Sequence, residues 1–202
     1  MKLAVFGATG RTGGAFIRQA LADGHAITAL VRNPEASLPD GVAITIGDVL
    51  DAAAVESFVR RDDVIVVTLG RVDALTIGCA NIVRAAASAG ARRLLGVVGA
   101  GVLQADATRR RSELPDYPPA LRVIGAAHRA FCDALEASAL DWTLACTPRL
   151  VDGPRTDAFR ATSSFLPEGT GSITTEDVAS FLLREAIEAR HVRERVGLNG
   201  TR

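Results

Sequence analysis

Short runs of aliphatic and β-branched residues alternate along the chain with longer alanine-rich stretches whose apolar positions recur every three or four residues. The short runs read as strands at residues 2–6, 26–31, 42–46, 64–68, 93–98 and 142–147, with a last one at 195–198. The longer stretches read as helices over 12–22, 52–60, 74–89, 121–138 and 175–189, because that spacing gathers apolar side chains on one face of an α-helix. Regular alternation of the two element types is the pattern of βαβ units and a parallel sheet. Val64-Ile65-Val66-Val67 and Leu94-Leu95-Gly96-Val97-Val98 are apolar almost throughout, as strands covered on both faces must be. The predicted fold is an α/β, Rossmann-like doubly wound parallel sheet, a single domain over residues 1–202 with a small irregular C-terminal region.

Two stretches break the alternation. Residues 104–119 carry Arg109-Arg110-Arg111, the acids Asp106, Glu113 and Asp116, and three prolines, so they read as a loop after the fifth strand. Residues 149–170 read as a second irregular segment after the sixth. Both leave the carboxyl ends of strands, where open α/β sheets bind ligands, which makes about 99–120 and 149–171 the substrate-side loops. The triple arginine reads as a solvated stretch beside its acids rather than a phosphate site. Ser172 to Asp177 (Ser-Ile-Thr-Thr-Glu-Asp) reads as a helix N-terminal cap with carboxylates in the first turn.

Charge narrows the partners. The chain has 23 basic and 23 acidic residues, and a balanced chain lacks the basic excess that holds nucleic acid or an anionic membrane. A small-molecule partner is expected instead. The longest apolar run, residues 94–103, is about half of what crosses a bilayer, and the apolar stretch at residues 3–7 is too short for a signal peptide. The expected location is cytoplasmic. Cys79, Cys132 and Cys146 sit far apart among apolar neighbours and read as packing residues, not as a disulfide or metal framework. The alanine-rich helices suit packing within a monomer or against a second copy, so the oligomeric state stays open.

Directly after the first strand comes Gly7-Ala8-Thr9-Gly10-Arg11-Thr12-Gly13-Gly14, opening the first helix. Glycines spaced in this way between a strand and a helix form a dinucleotide-binding turn. Gly7 permits the tight turn, Gly10 lets backbone N–H groups reach a pyrophosphate, and Gly13 lets the helix lie close on the sheet. Open amides and the helix dipole then hold the phosphates, the dipole contributing about 0.3–1 kcal/mol. Thr9, Arg11 and Thr12 add side-chain donors. At the end of the second strand, Val31-Arg32-Asn33 presents a cation where NAD-binding chains place an acid. Arg32 suits a 2′-phosphate and stacking on adenine, so NADP(H) is expected over NAD(H). Glu35, behind Pro34, is read as pointing away.

With Gly-Ala-Thr-Gly-Arg-Thr-Gly, Leu30-Val31-Arg32-Asn33, Gly47-Asp48-Val49-Leu50 and Thr68-Leu69-Gly70 in order, the chain resembles the atypical short-chain dehydrogenase/reductases. It is most similar to the NAD(P)H-binding subgroup that holds NmrA-like proteins and the flavin reductase/biliverdin-IXβ reductase type. The resemblance implies cofactor contacts from Asp48, Val49, Leu69, Gly70 and Arg71, which join the glycine turn, Arg32 and the neighbouring Asn33 as expected cofactor residues. Asp48 has a second reading as the N-cap of the following helix.

The catalytic apparatus departs from the family. The main branch pairs a tyrosine with a lysine four residues on, but Tyr117 is the sole tyrosine and is followed by Leu121, while the sole lysine, Lys2, lies on the first strand. Where the flavin reductase type has a serine after the fifth strand, Gly99 stands; where it has a histidine after the sixth, Arg149 stands. Arg149 reads either as a binder of an acceptor's anionic or carbonyl group or as an ion-pair partner of Asp152 or Asp157. Pro148 and Leu150 are placed to pack on a flat ring. Tyr117 and Asp106 are the other candidates for the chemistry, and His128 reads as a packed helix histidine. The expected activity is hydride transfer from NADPH to a planar flavin, quinone or tetrapyrrole, with the proton drawn from water. The alternative is an NADP-binding sensor of the NmrA-like kind that does not turn over.

Overall fold

The computed structural model describes residues 1–201. An eight-stranded sheet forms its centre. Its strands are β1 (Lys2–Phe6), β2 (Ala26–Val31), β3 (Val42–Ile46), β4 (Val64–Val67), β5 (Arg93–Gly99), β6 (Trp142–Thr147), β8 (Phe159–Ser163) and β10 (Glu194–Gly200), in the spatial order β3-β2-β1-β4-β5-β6-β10-β8. Every pairing is parallel except that of β8, which runs antiparallel to β10 as an edge strand. A separate parallel pair joins β7 (Arg149–Val151) to β9 (Ser172–Thr174).

Five α-helices cover the two faces: α1 (Arg11–Ala22), α2 (Ala52–Phe58), α3 (Cys79–Ala89), α4 (Arg122–Glu136) and α5 (Thr175–Glu188). Successive side chains of a strand point to opposite faces, so each central strand feeds two cores. Leu3 and Val5 of β1 and Val64 and Val66 of β4 pack with Phe16 and Ile17 of α1 and Phe181 and Leu182 of α5. Ala4, Phe6, Ile65 and Val67, from the same strands, pack with Phe58 of α2, Ile82 of α3 and Phe131 of α4. Phe6 meets Phe58 edge-on, with centroids 5.2 Å apart. At the amino ends of β5 and β6 a buried polar cluster replaces apolar packing. Arg93 donates to Glu185 at 3.1 Å, and Glu185 also holds the His191 ring at 2.7 Å.

The doubly wound sheet expected from the sequence is the one observed, with element ends moved by a residue or two. Two differences have physical causes. The helix expected over 74–89 opens with a π-helical turn, Ala74–Gly78, before the α-helical register begins at Cys79. A Cβ at Gly78 would lie 2.7 Å from Val49 Cγ2, so Val49 closes onto the backbone at that turn. The segment 149–170, expected to be irregular, holds β7 and β8. β8 is largely exposed and is held by its register with β10, 33 or more positions further on, which local pattern does not show. The cap expected near Ser172 is Thr174, which accepts from the Asp177 N–H. Asp177 turns inward and accepts from the Thr156 and Asp157 N–H groups, both at 2.7 Å. It ties the loop after β7 to α5. Among the described residues no helix is long and apolar enough to cross a membrane.

Candidate cofactor and active site

The site lies along the carboxyl ends of β1, β2, β4, β5 and β6. Gly7 adopts φ +91°, and a Cβ there would lie 2.7 Å from Thr68 Oγ1. A Cβ on Gly13 would sit 2.2 Å from the Gly7 carbonyl oxygen. Only glycine at both positions lets α1 start this close to β1. Thr68, read from the sequence as part of a motif but not as a site residue, clamps the turn by donating its hydroxyl to the Phe6 and Gly7 carbonyls at 3.2 and 3.1 Å. Gly10, the N-cap of α1, offers no side-chain cap, and no acid stands in the first turn. The Arg11, Thr12 and Gly13 N–H groups therefore have no protein acceptor among the described residues. A helix leaves its first amides without intrahelical acceptors, and three that no side chain caps form an anion site. The residues present fit a dinucleotide pyrophosphate.

On one side of the turn, a cavity of about 190 Å³ is lined by Leu30, Arg32, Asp48, Val49, Leu69, Gly70 and Arg71, with Thr9 at its phosphate end. It has the position and size for an adenosine. Arg32 is exposed and makes no ion pair among the described residues. Glu35 does not line this cavity. The cap reading of Asp48 falls away, because Asp51 caps α2 by accepting from the Ala53 and Ala54 N–H groups. Asp48 accepts from the Leu50 N–H at 3.0 Å through Oδ1 only. Arg71 forks onto Asp73, which raises the guanidinium's pKa and holds the carboxyl below its usual range. Asn33 lies outside the adenosine cavity but beside the glycine turn. Its Oδ1 accepts from the Glu35 N–H at 3.0 Å, and it lines an outer groove with Thr9, Arg11 and Arg18.

On the other side, a cleft of about 620 Å³ runs from Gly10, Arg11 and Thr12 past Leu69 and Gly70 to Gly99, Thr147, Pro148 and Leu150. Beyond it opens a second cavity of about 620 Å³, lined by Gly101, Arg111, Tyr117, Arg149 and Leu166 among others. The two share one wall, made of Gly99, Leu121, Ile124, His128, Thr147 and Pro148.

The remaining candidates separate clearly. Arg149 opens into the second cavity and forms no ion pair among the described residues. The partners considered for it are engaged elsewhere, Asp152 with Arg11 at 3.0 Å and Asp157 with Arg155 and Arg184. Tyr117 also reaches this cavity. Its phenol wedges between Gly101 and Gly125, where a Cβ would lie 2.6 and 3.0 Å from the hydroxyl, and burial raises its pKa. Asp106 lies outside both cavities. It accepts from the Thr108 and Arg109 N–H groups and from the Arg109 guanidinium, which together hold its carboxyl far below the usual range. The arginine run divides: Arg109 pairs with Asp106 at 2.7 Å, Arg110 turns inward toward Glu136, and Arg111 faces the second cavity. Arg111, Leu121, Ile124, His128 and Thr147 were not identified from sequence. Leu121, Ile124 and His128 follow a three-then-four spacing that puts them on one stripe of the α4 region, and that stripe was the available signal.

All three cysteines are buried, and burial raises each thiol's pKa, that of Cys132 to about 12. They are packing residues. No cluster that could hold a metal occurs among the described residues.

The chain matches the family described as NAD(P)H-binding over residues 7–188. The uncharacterized protein YwnB of Bacillus subtilis is 28% identical over 207 residues, covering 96% of each chain. A candidate exported protein of Burkholderia pseudomallei superposes with a TM-score of 0.86 at 29% identity, covering 98% of this chain and 99% of that one. A Streptococcus pneumoniae protein named as a candidate NADH-flavin reductase superposes with a TM-score of 0.84 at 27% identity over 100% of both chains. The match begins on the glycine turn and runs through α5, taking in every element that shapes the two cavities. On that extent, and with amides left open where a pyrophosphate docks, the chain belongs to the NAD(P)H-binding family, and its cofactor is a nicotinamide dinucleotide.

Proposed function

We propose that the protein is an NADPH-dependent reductase of a planar acceptor that carries an anionic group. The observation that carries this reading is the set of residues lining both the cofactor cleft and the second cavity, which places the two side by side. The reduced nicotinamide supplies a hydride to the acceptor, whose second hydrogen is a proton from water. The chain supplies position and surroundings. Pro148, Leu121 and Ile124 give the junction an apolar surface for a flat ring, and Arg111 and Arg149 give the cavity two cations with no ion-pair partner among the described residues. A guanidinium free of a carboxylate suits an acceptor's phosphate or carboxylate.

A tyrosine–lysine mechanism has no support in the geometry. Lys2 lines a hollow at the amino ends of the strands with Ala26 and Asp63, across the sheet from the site. The name of the Streptococcus relative points to a flavin as one acceptor class. The preference for NADPH rests on Arg32 in the adenosine cavity. The test follows NADPH consumption by its near-ultraviolet absorbance, with FMN, a quinone and biliverdin offered in parallel and NADH as the comparison. Turnover faster with NADPH supports the reading. Tight NADP binding without turnover of any of them would replace it with the sensor. Arg149→Ala should raise the acceptor KM roughly tenfold or more, the loss of one charged hydrogen-bonding partner, and leave the NADPH Kd unchanged. An unaltered KM would remove Arg149 from the acceptor site.

A further inference from the structure

We propose that His128 orients and polarises the acceptor, donating a hydrogen bond from Nε2–H to the acceptor atom that gains negative charge as the hydride arrives. The inference rests on the reading of the second cavity as the acceptor site. Three observations carry it. His128 belongs to the wall shared by both cavities, so it borders the place where hydride must cross. The Gly99 N–H donates to its Nδ1 at 3.2 Å, which fixes Nδ1 as an acceptor and leaves the proton of the neutral ring on Nε2. Nε2 itself has no protein partner among the described residues and is not fully buried.

Gly99 and His128 are complementary in shape. A Cβ on Gly99 would lie 3.2 Å from Nδ1 and 3.3 Å from Cε1 of the imidazole. A side chain at this position would crowd the ring. The bare backbone at Gly99 leaves room for the ring to accept from its N–H. The charged and titratable groups sharing the cavity are Arg111, Asp116, Tyr117 and Arg149. Burial pushes the imidazole's pKa down to about 4, so near neutral pH it is uncharged. It keeps its proton and acts as a fixed dipole, as the neutral imidazole of triosephosphate isomerase does. Donors aimed at developing charge act chiefly on kcat, each contributing about 100- to 1000-fold.

Glutamine can reproduce both roles of the imidazole, its amide oxygen accepting from Gly99 and its NH2 donating into the cavity, whereas leucine can do neither. His128→Leu should lower kcat about 100-fold, with the NADPH Kd within about twofold of wild type, while His128→Gln recovers to within about tenfold of wild type. Equal losses in both variants, or none in either, would overturn the assignment. Imidazole 15N spectra of the wild-type protein supply a readout independent of turnover and of how the variants fold. The His128 ring should show protonated Nε2 and bare Nδ1, with the Nε2 signal moving when FMN is added to the NADP-bound protein. The opposite tautomer, or a signal that FMN leaves in place, would overturn it. Absence of turnover in wild type would fail the reductase reading, while the spectra, which need no turnover, judge the hydrogen bond from His128 to the acceptor.

Discussion

Replacing Arg32 by alanine separates the two nicotinamide cofactors by an amount that the structure lets one work out. Arg32 lines the adenosine cavity, is exposed, and has no carboxylate within ion-pairing distance among the described residues. No internal salt bridge therefore has to break before the guanidinium takes a phosphate. A hydrogen bond to a charged group contributes about 1.5–3 kcal/mol, which at about 1.4 kcal/mol per decade is roughly a 10- to 150-fold rise in the NADPH Kd. NADH has no 2′-phosphate and stands to lose only stacking of the guanidinium on adenine, about 0.5–1 kcal/mol at an exposed site, or roughly two- to fivefold. The assay is a fluorescence titration of both cofactors against wild type and Arg32→Ala, repeated at two ionic strengths. Screening over a Debye length of about 8 Å at physiological salt acts on the phosphate contact, so added salt should narrow the gap between the cofactors in wild type and hardly change it in the variant. Equal weakening of NADPH and NADH would refute the reasoning and leave Arg32 a surface residue.

Three further outcomes follow from the geometry. Gly13→Ala puts a Cβ 2.2 Å from the Gly7 carbonyl oxygen, so it should destabilise the fold by about 1–3 kcal/mol and weaken NADPH binding at least tenfold; Gly14→Ala, whose Cβ would be 3.5 Å from its nearest neighbour, is the control and should bind normally. Glu185→Gln leaves the Arg93 guanidinium without its buried counter-charge, and breaking a buried pair costs about 3–5 kcal/mol, a fall of roughly 6–20 °C in Tm for a domain of this size. The NADPH Kd should not change, because the pair lies at the amino ends of the strands. His128 titrates near 4 in the fold against an ordinary 6.5, so the unfolded chain binds the extra proton first. Its contribution to stability is present above about pH 6.5 and is lost as the pH falls toward 4, on the order of 3 kcal/mol. Denaturant melts should therefore show wild type losing stability relative to His128→Gln over that window, and parallel curves would contradict it.

The order of strands and helices was legible from the sequence because each central strand is buried on both faces and each helix carries one apolar stripe. Those are local patterns, repeated within a few residues. The glycine turn was legible for a similar reason, since Gly7, Gly10 and Gly13 answer to backbone geometry inside one strand–turn–helix unit. β8 escaped because an exposed edge strand has no alternating apolar face, and its place is decided by hydrogen bonds to β10. Asn33 sits beside Arg32 in sequence, yet its side chain is bonded to Glu35 and turned to the outer groove.

What the sequence determined alone was the fold, the dinucleotide turn and the absence of a tyrosine–lysine pair, all properties of neighbours along the chain or of composition. The tertiary structure decided the acceptor side. It freed Arg149 by giving Asp152 to Arg11, brought Arg111 back over the sheet, and set the His128 ring against Gly99, 29 positions away. A helix histidine reads as packing until the strand it faces is known. The reason is physical: burial, charge partners and free hydrogen-bonding atoms belong to the space between elements, and that space exists only once the chain has folded.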